Sequence, residues 1–313
     1  MLFAVWGPLV LQLVVPIGLL AWLAFGRAPS RGGWALRVLV VACYLAAMGV
    51  GGLWLILPWF TPVVYAALFA LAALHSLRSA GSLPTIPSGF RRWAAIGVMG
   101  GTAAVFAGLA AYVLSGGRTP EAVVELSFPL RGSYLVVNGG GNELINAHHM
   151  TLDGERFRRW RGQSYGVDIE KLNVVGLRAR GILPKDLSAY EIFGEPLYAP
   201  CNGQVIAAVD GMEEMTPPEM DRQNMTGNHI ILECGGVWVL LAHLQRGSVG
   251  VAEGQPISRG QLLARVGNTG NTGEPHLHIH AQRPGTAEAP VSGDPLHVVF
   301  DGRYPVRNAR ILR

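Results

Sequence analysis

Residues 1–117 contain no Asp, Glu or Lys, and this absence constrains the fold more than any other feature of the chain. Charge in that region is limited to Arg27, Arg31, Arg37, Arg78, Arg91 and Arg92. Around them lie four apolar stretches, roughly Leu2 to Phe25, Leu36 to Phe60, Pro62 to Leu77 and Trp93 to Leu114. An α-helix needs about 20 consecutive apolar residues to cross the hydrocarbon core of a bilayer. Four such stretches predict transmembrane helices rather than the buried helices of a soluble core. The first lacks the basic leader and small-residue cleavage site of a removable signal peptide, so it is expected to remain as a span.

The arginines predict orientation. Arg27, Arg31 and Arg37 lie between the first two stretches, and Arg78, Arg91 and Arg92 lie between the last two, whereas the link around Thr61 is uncharged. Loops rich in Arg stay on the cytoplasmic side. Both termini then face outward, and residues from about 116 onward are extracytoplasmic. Trp6, Trp54, Trp59 and Trp93 stand near span ends, where indoles anchor at the interface. The expected localisation is the inner (cytoplasmic) membrane of a bacterium, multi-pass, with the lipid bilayer as one partner. Outside the first 117 residues, nineteen basic residues face twenty-one acidic ones, so the overall charge of +4 belongs to the membrane flanks. That distribution offers no basic binding face, and nucleic acid is excluded as a partner.

The remaining chain is expected to be β-rich. Short Val/Ile/Leu runs alternate with Gly, Asn and Pro, with candidate strands over 132–137, 165–169, 203–209, 228–233, 237–243, 260–266 and 275–282. The expected organisation is a membrane domain over 1–115, a linker over 116–125 and a β-rich domain over 126–313 with its core at 160–285. Residues 170–193 and 211–227 interrupt the strand pattern and read as long loops, a class that can also wall a groove. Cys43 falls within the second span. Cys201 and Cys234 fall on neighbouring strand-like stretches of the exported part, where an oxidising compartment would allow a disulfide if their Cα separation permits one.

Chemistry concentrates near the C-terminus. In Pro275-His276-Leu277-His278-Ile279-His280, an extended strand projects His276, His278 and His280 to one side. Imidazoles so placed suit a transition metal and proton transfer beside it. Two further patches belong with this run: Tyr165-Gly166-Val167-Asp168-Ile169 and Leu240-Leu241-Ala242-His243-Leu244. Between the patches sit Gly194-Glu195-Pro196-Leu197-Tyr198-Ala199-Pro200-Cys201-Asn202-Gly203-Gln204-Val205 and Gly254-Gln255-Pro256-Ile257-Ser258-Arg259-Gly260-Gln261.

Taken in order over about residues 160–285, these motifs resemble the lysostaphin/LytM-type zinc endopeptidases, which cleave peptide cross-links in peptidoglycan. The resemblance implies a twisted, mainly antiparallel β-sheet core. The expected fold is therefore multi-domain, with four N-terminal transmembrane α-helices followed by that β domain. It also implies Asp168 and His278 as zinc ligands, and His243 and His276 as the catalytic pair flanking the attacking water. One departure matters. The family's first ligand is a His four residues before the Asp, and here that position is Ser164, a poor zinc ligand at neutral pH. His148 or His149, just upstream in Asn146-Ala147-His148-His149, could fill the corner, with Asn146 orienting the ring. Glu170, Glu195 and Glu274 border the motifs, and spacing singles out none of them as a general base.

The expected function is a membrane-anchored zinc metalloendopeptidase, with one Zn2+ per domain, acting on peptidoglycan or another envelope peptide. A catalytically inactive LytM-like binding module that regulates other wall hydrolases is the alternative that Ser164 suggests. A membrane sensor or transporter subunit is a third class. The spans hold no Lys or acid to mark an ion path.

Overall fold

The computed structural model describes residues 2–313, and the chain divides into two compact units, Met1–Ser115 and Gly116–Arg313. The first holds helices α1 (Leu2–Leu9), α2 (Val15–Phe25), α3 (Arg31–Gly51), α4 (Thr61–Ala80) and α5 (Phe90–Ser115). A π turn over Val10–Val14 joins α1 to α2. Four segments are long and apolar enough to cross a membrane: Trp6–Phe25, Arg31–Gly51, Thr61–Ala80 and Phe90–Ser115.

The π turn has a local cause and a tertiary remedy. Pro16 has no N–H, so the Gln12 carbonyl loses its helical donor, and the Val15 N–H reaches back to the Val10 oxygen instead. Tyr65 on α4 donates its hydroxyl to the Gln12 oxygen at 2.7 Å, and Tyr44 on α3 donates to the Leu11 oxygen at 2.6 Å. In apolar surroundings each unmet carbonyl would cost several kcal/mol, so these two phenols tie three helices together. Arg37 is buried, and its guanidinium donates to the Gly26 oxygen at 2.6 Å and the Arg27 oxygen at 2.7 Å, capping α2. The second apolar stretch was expected to stay helical to Phe60, but α3 stops at Gly51. The Gly51-Gly52 pair has low helix propensity, Gly52 turns extended, and Pro58 follows.

The second unit contains strands β1 (Val123–Leu126), β2 (Ser133–Asn138), β3 (Val167–Lys171), β4 (Pro196–Tyr198), β5 (Gly203–Val209) and β6 (His229–Cys234). They are followed by β7 (Val237–Ala242), β8 (Pro256–Ile257), β9 (Leu262–Arg265), β10 (Leu277–Gln282), β11 (Pro295–Phe300) and β12 (Arg310–Leu312). The main sheet runs β12-β2-β3-β10-β7-β6-β5-β8, all antiparallel, with β11 added to the end of β10 and β1 parallel to β11; β4 and β9 form a separate pair. The four apolar helices and the mainly antiparallel sheet are the expected architecture. Val123–Leu126 pairs with residues far along the chain at 297–300, a partner no local pattern reveals. The short strands β4, β8 and β12 lacked a legible alternation for the same reason.

Period-two alternation puts Val167 and Ile169 of β3, Val239 and Leu241 of β7, and Leu277, Ile279 and Ala281 of β10 into one apolar core. Asp168, His278, His280 and Gln282 therefore share the opposite face. Register completes the placement. Asp168 lies directly across from His278, His278 across from Ala242, and Asn138 across from Asp168 after a bulge between Val136 and Asn138. A one-residue slip would send every one of these side chains into the core face. Cys201 and Cys234 are joined in a disulfide with Cα atoms 5.9 Å apart, clasping the approach to β5 against the end of β6.

Ile279 is fully buried between the strands that carry Asp168 and His243. Ile279→Ala is expected to destabilise the β unit by about 2–5 kcal/mol, measured as a lowered unfolding midpoint of the full chain by tryptophan fluorescence.

Candidate metal centre

Asp168 is 5% exposed and carries its charge into the face beneath a cleft. A buried carboxylate needs partners. Asn138 donates its amide nitrogen to Oδ2 at 2.8 Å, and His278 Nδ1 stands 2.9 Å from Oδ1. His148 Nε2 lies 3.6 Å from Oδ2, and His276 Nε2 lies 3.6 Å from Oδ1. Burial on its own would raise the carboxyl; the rings of His148 and His276 and the hydrogen-bonding His278 outweigh it and hold Asp168 well below the usual carboxylate range. Burial pushes His148 down to about 4, so at neutral pH an ionised carboxylate faces a neutral His148 ring.

Groups that can act in only one sense set the tautomers of these rings. The Thr269 carbonyl, 2.8 Å from His243 Nδ1, can only accept, so Nδ1 carries the proton and Nε2 keeps its lone pair. The Glu274 carbonyl does the same for His276 at 2.9 Å. Asn146 spends its NH2 on the carbonyls of Gly140 and Gly166, so its oxygen faces His148 Nδ1 at 3.0 Å and leaves the His148 Nε2 lone pair toward Asp168.

A longer relay reaches His278. The Pro290 carbonyl accepts from Gln282 Nε2 at 2.7 Å, which turns the Gln282 oxygen to His280 Nε2 at 3.3 Å. His280 is 1% exposed, and burial keeps its ring neutral by lowering it well below the ordinary imidazole range. With its proton on Nε2, its Nδ1 accepts from His278 Nε2 at 2.9 Å. His278 Nε2 is thereby committed to His280, and its Nδ1 faces the Asp168 oxygen. His148, Asp168 and His278 offer ligand atoms that all lie within 4.8 Å of one another. Two imidazoles and a carboxylate match the donor types of a zinc site with three protein ligands.

The structure thus brings together Asp168, His278, His148, His276 and His243. The rings of His243 and His276 are 4.8 Å apart at their centroids. His149 does not join them. Its ring packs 5.2 Å from Tyr165, because consecutive residues of the short 3-10 turn Ala147–Thr151 point in different directions. Ser164 is fully buried, and its hydroxyl contacts the Arg161 carbonyl at 2.6 Å and Thr151 at 2.9 Å. Thr151 in turn donates to the His148 carbonyl at 2.8 Å, so the residue at the departed position braces the turn that delivers His148. Gly166 leaves room for the His278 ring, which a Cβ would meet at 2.6 Å. His243 has φ +62°, a strained conformation for a non-glycine residue, at the point where β7 ends.

The bordering acids are occupied elsewhere. Arg178 grips Glu274 through Nε and Nη2 at 3.0 and 2.6 Å. Glu170 is buried beside them, and burial followed by the Glu274 charge raises it well above the carboxylate range. Glu195 pairs with Lys171 at 2.7 Å. His229 bonds the Gly227 carbonyl at 2.7 Å. Asn138, Thr269 and Gln282 escaped sequence reasoning. Only Gln282 had a signal, the same alternation that joins His276, His278 and His280.

Residues 186–290 match the sequence model of the family described as Peptidase family M23. The match includes His243, His276 and His278 and begins after Asp168. The matched segment covers about a third of the chain and lies within the β unit. Among solved structures, the chain is similar to a zinc-containing peptidase from Vibrio cholerae, with 29% identity over 30% of this chain and 24% of that one and a TM-score of 0.23. The catalytic domain of lysostaphin from Staphylococcus simulans shows 22% identity over 40% of this chain and 71% of that one, with a TM-score of 0.27. A putative peptidase M23 from Pseudomonas aeruginosa shows 24% identity over 33% and 42%, with a TM-score of 0.23. The chain therefore spans 24% of the length of the Vibrio protein and 42% of the Pseudomonas one. No curated protein matches the chain.

The relay makes a spectroscopic prediction. Long-range 1H–15N correlation is expected to find His278 protonated at Nε2, and to find mixed tautomers in Gln282→Leu. Zinc affinity of that variant is expected to fall roughly 10- to 100-fold, whereas Gln282→Glu, which keeps an acceptor toward His280, retains more of it.

Proposed function

We propose that the chain is a membrane-anchored zinc metalloendopeptidase of the bacterial envelope, hydrolysing peptide bonds of peptidoglycan or a related peptide outside the cytoplasmic membrane. The observation that carries this reading is the convergence of Asp168, His278 and His148 beneath a cleft flanked by His243 and His276. Asp168, His278 and His148 would hold the ion, with His148 in place of the ligand that Ser164 cannot supply. Bound zinc supplies Lewis acidity that makes water nucleophilic near neutral pH.

The remaining roles belong to the protein. His243 and His276 each enter with Nδ1–H committed to a backbone carbonyl and Nε2 unprotonated. One takes a proton from the attacking water and returns it to the leaving amine, and the other, once protonated, donates to the developing oxyanion. Burial above all holds His243 well below the ordinary imidazole range, which keeps it a proton acceptor at neutral pH. The Arg178–Glu274 pair holds the loop whose carbonyl orients His276. The four apolar helices serve as the anchor, and the arginine distribution supports an extracytoplasmic β unit.

The full chain in detergent is expected to take up one zinc and to cut muropeptides, and a chelator should abolish cleavage, with zinc restoring it. Asp168→Ala is expected to lose both metal and activity. His243→Ala should retain zinc and lose activity by roughly 10²- to 10⁴-fold. A chain that stays metal-free in zinc-supplemented buffer, yet still binds wall hydrolases, would replace this reading with that of a binding module.

A further inference from the structure

The cleft above Asp168 encloses about 620 Å3. Its side walls come from the 3-10 segment Glu155–Tyr165 and from the loop over 211–227. The first supplies Arg156, Phe157 and Trp160, and the second supplies Met220, Arg222 and Met225. Apart from Asp168 on the floor, Arg156 and Arg222 are the only charged residues on the lining, and both are exposed.

Neither arginine is neutralised by the acid beside it in sequence. Glu155 turns to Arg158 at 3.3 Å. Asp221 accepts from the backbone of Gln223 and Asn224 and from the Asn224 side chain at 2.7 Å. Arg156 lies over the Phe157 ring, 4.3 Å from its centroid, which holds the guanidinium by its face and leaves its N–H edge for hydrogen bonding. The cleft thus has apolar walls, positive charge on both of them, and at its floor a carboxylate already engaged by Asn138 and the histidines.

We propose that this site selects peptides bearing a free carboxylate near the scissile bond, gripped by Arg156 and Arg222 while the Met, Phe and Trp side chains hold the aliphatic backbone beside it. The planar guanidinium matches a carboxylate bidentately. The proposal rests on the peptidase reading for the peptide nature of the occupant, but its test does not depend on turnover.

Binding is measured on the zinc-supplemented full chain in detergent, in a His243→Ala background, with a muropeptide carrying free side carboxylates and with the same muropeptide amidated. Cleavage of both is recorded separately with the unmodified chain. The acidic form is expected to bind on the order of 10- to 100-fold more tightly. The preference should disappear in Arg156→Gln/Arg222→Gln and return in part in Arg156→Lys/Arg222→Lys. Both side chains are exposed, and circular dichroism of the variants checks that the fold is kept. Equal affinity for the two peptides, or a preference that survives the double Gln variant, overturns the proposal. Cleavage without charge preference overturns this inference alone, whereas charge preference without cleavage supports it and overturns the peptidase reading alone.

Discussion

The β unit depends on a register: Asp168 of β3 directly opposite His278 of β10. That pairing places an ionised carboxylate and an imidazole side by side on the polar face of a sheet whose other face is the apolar core. Neighbouring registers extend the row, with Asn138 on one side and the end of β7, where His243 turns out, on the other. The same apolar alternation that drives β3, β7 and β10 together therefore also aims the polar residues at one point. Packing and site geometry are two consequences of one period-two pattern.

The protons of the site are distributed by groups outside it. Backbone carbonyls of Thr269, Glu274 and Pro290 cannot donate, and each dictates which nitrogen of a nearby ring is protonated, directly or through Gln282 and His280. In water an imidazole exchanges tautomers freely. Here His243, His276 and His148 all present an unprotonated Nε2 toward the cleft, and His278 turns Nδ1 to Asp168. Such prior arrangement keeps four rings from relaxing into hydrogen bonds with one another, and it gives the proposed zinc a ready set of lone pairs.

The helical unit shows the same rule among its apolar helices. Pro16 deprives one carbonyl of its donor, and two tyrosines from other helices compensate within the apolar interior. Arg37, counted in the sequence as a loop charge, spends its guanidinium on the carbonyl end of α2. In both units the polar groups that matter are those the backbone cannot satisfy alone.

Much of this was legible in the chain itself. Long apolar runs without acids or lysines announce the four apolar helices, because their length and composition are legible in sequence alone. The alternation of 276, 278 and 280 announces imidazoles on one strand face, because side-chain direction in a strand follows from position, and the roles of Asp168, His243 and His276 came as what the motif resemblance implies. What the sequence could not decide was which of two adjacent rings stands beside Asp168. His148 and His149 are adjacent and chemically identical, and only the path of the Ala147–Thr151 turn, braced by Ser164 through Thr151, sends one ring to Asp168 and the other to Tyr165. The parallel partner of β1, the Gln282 relay and the arginines of the cleft walls likewise depend on contacts between residues far apart in the chain. Local pattern determines which way a side chain points; only the closed fold determines what it meets there.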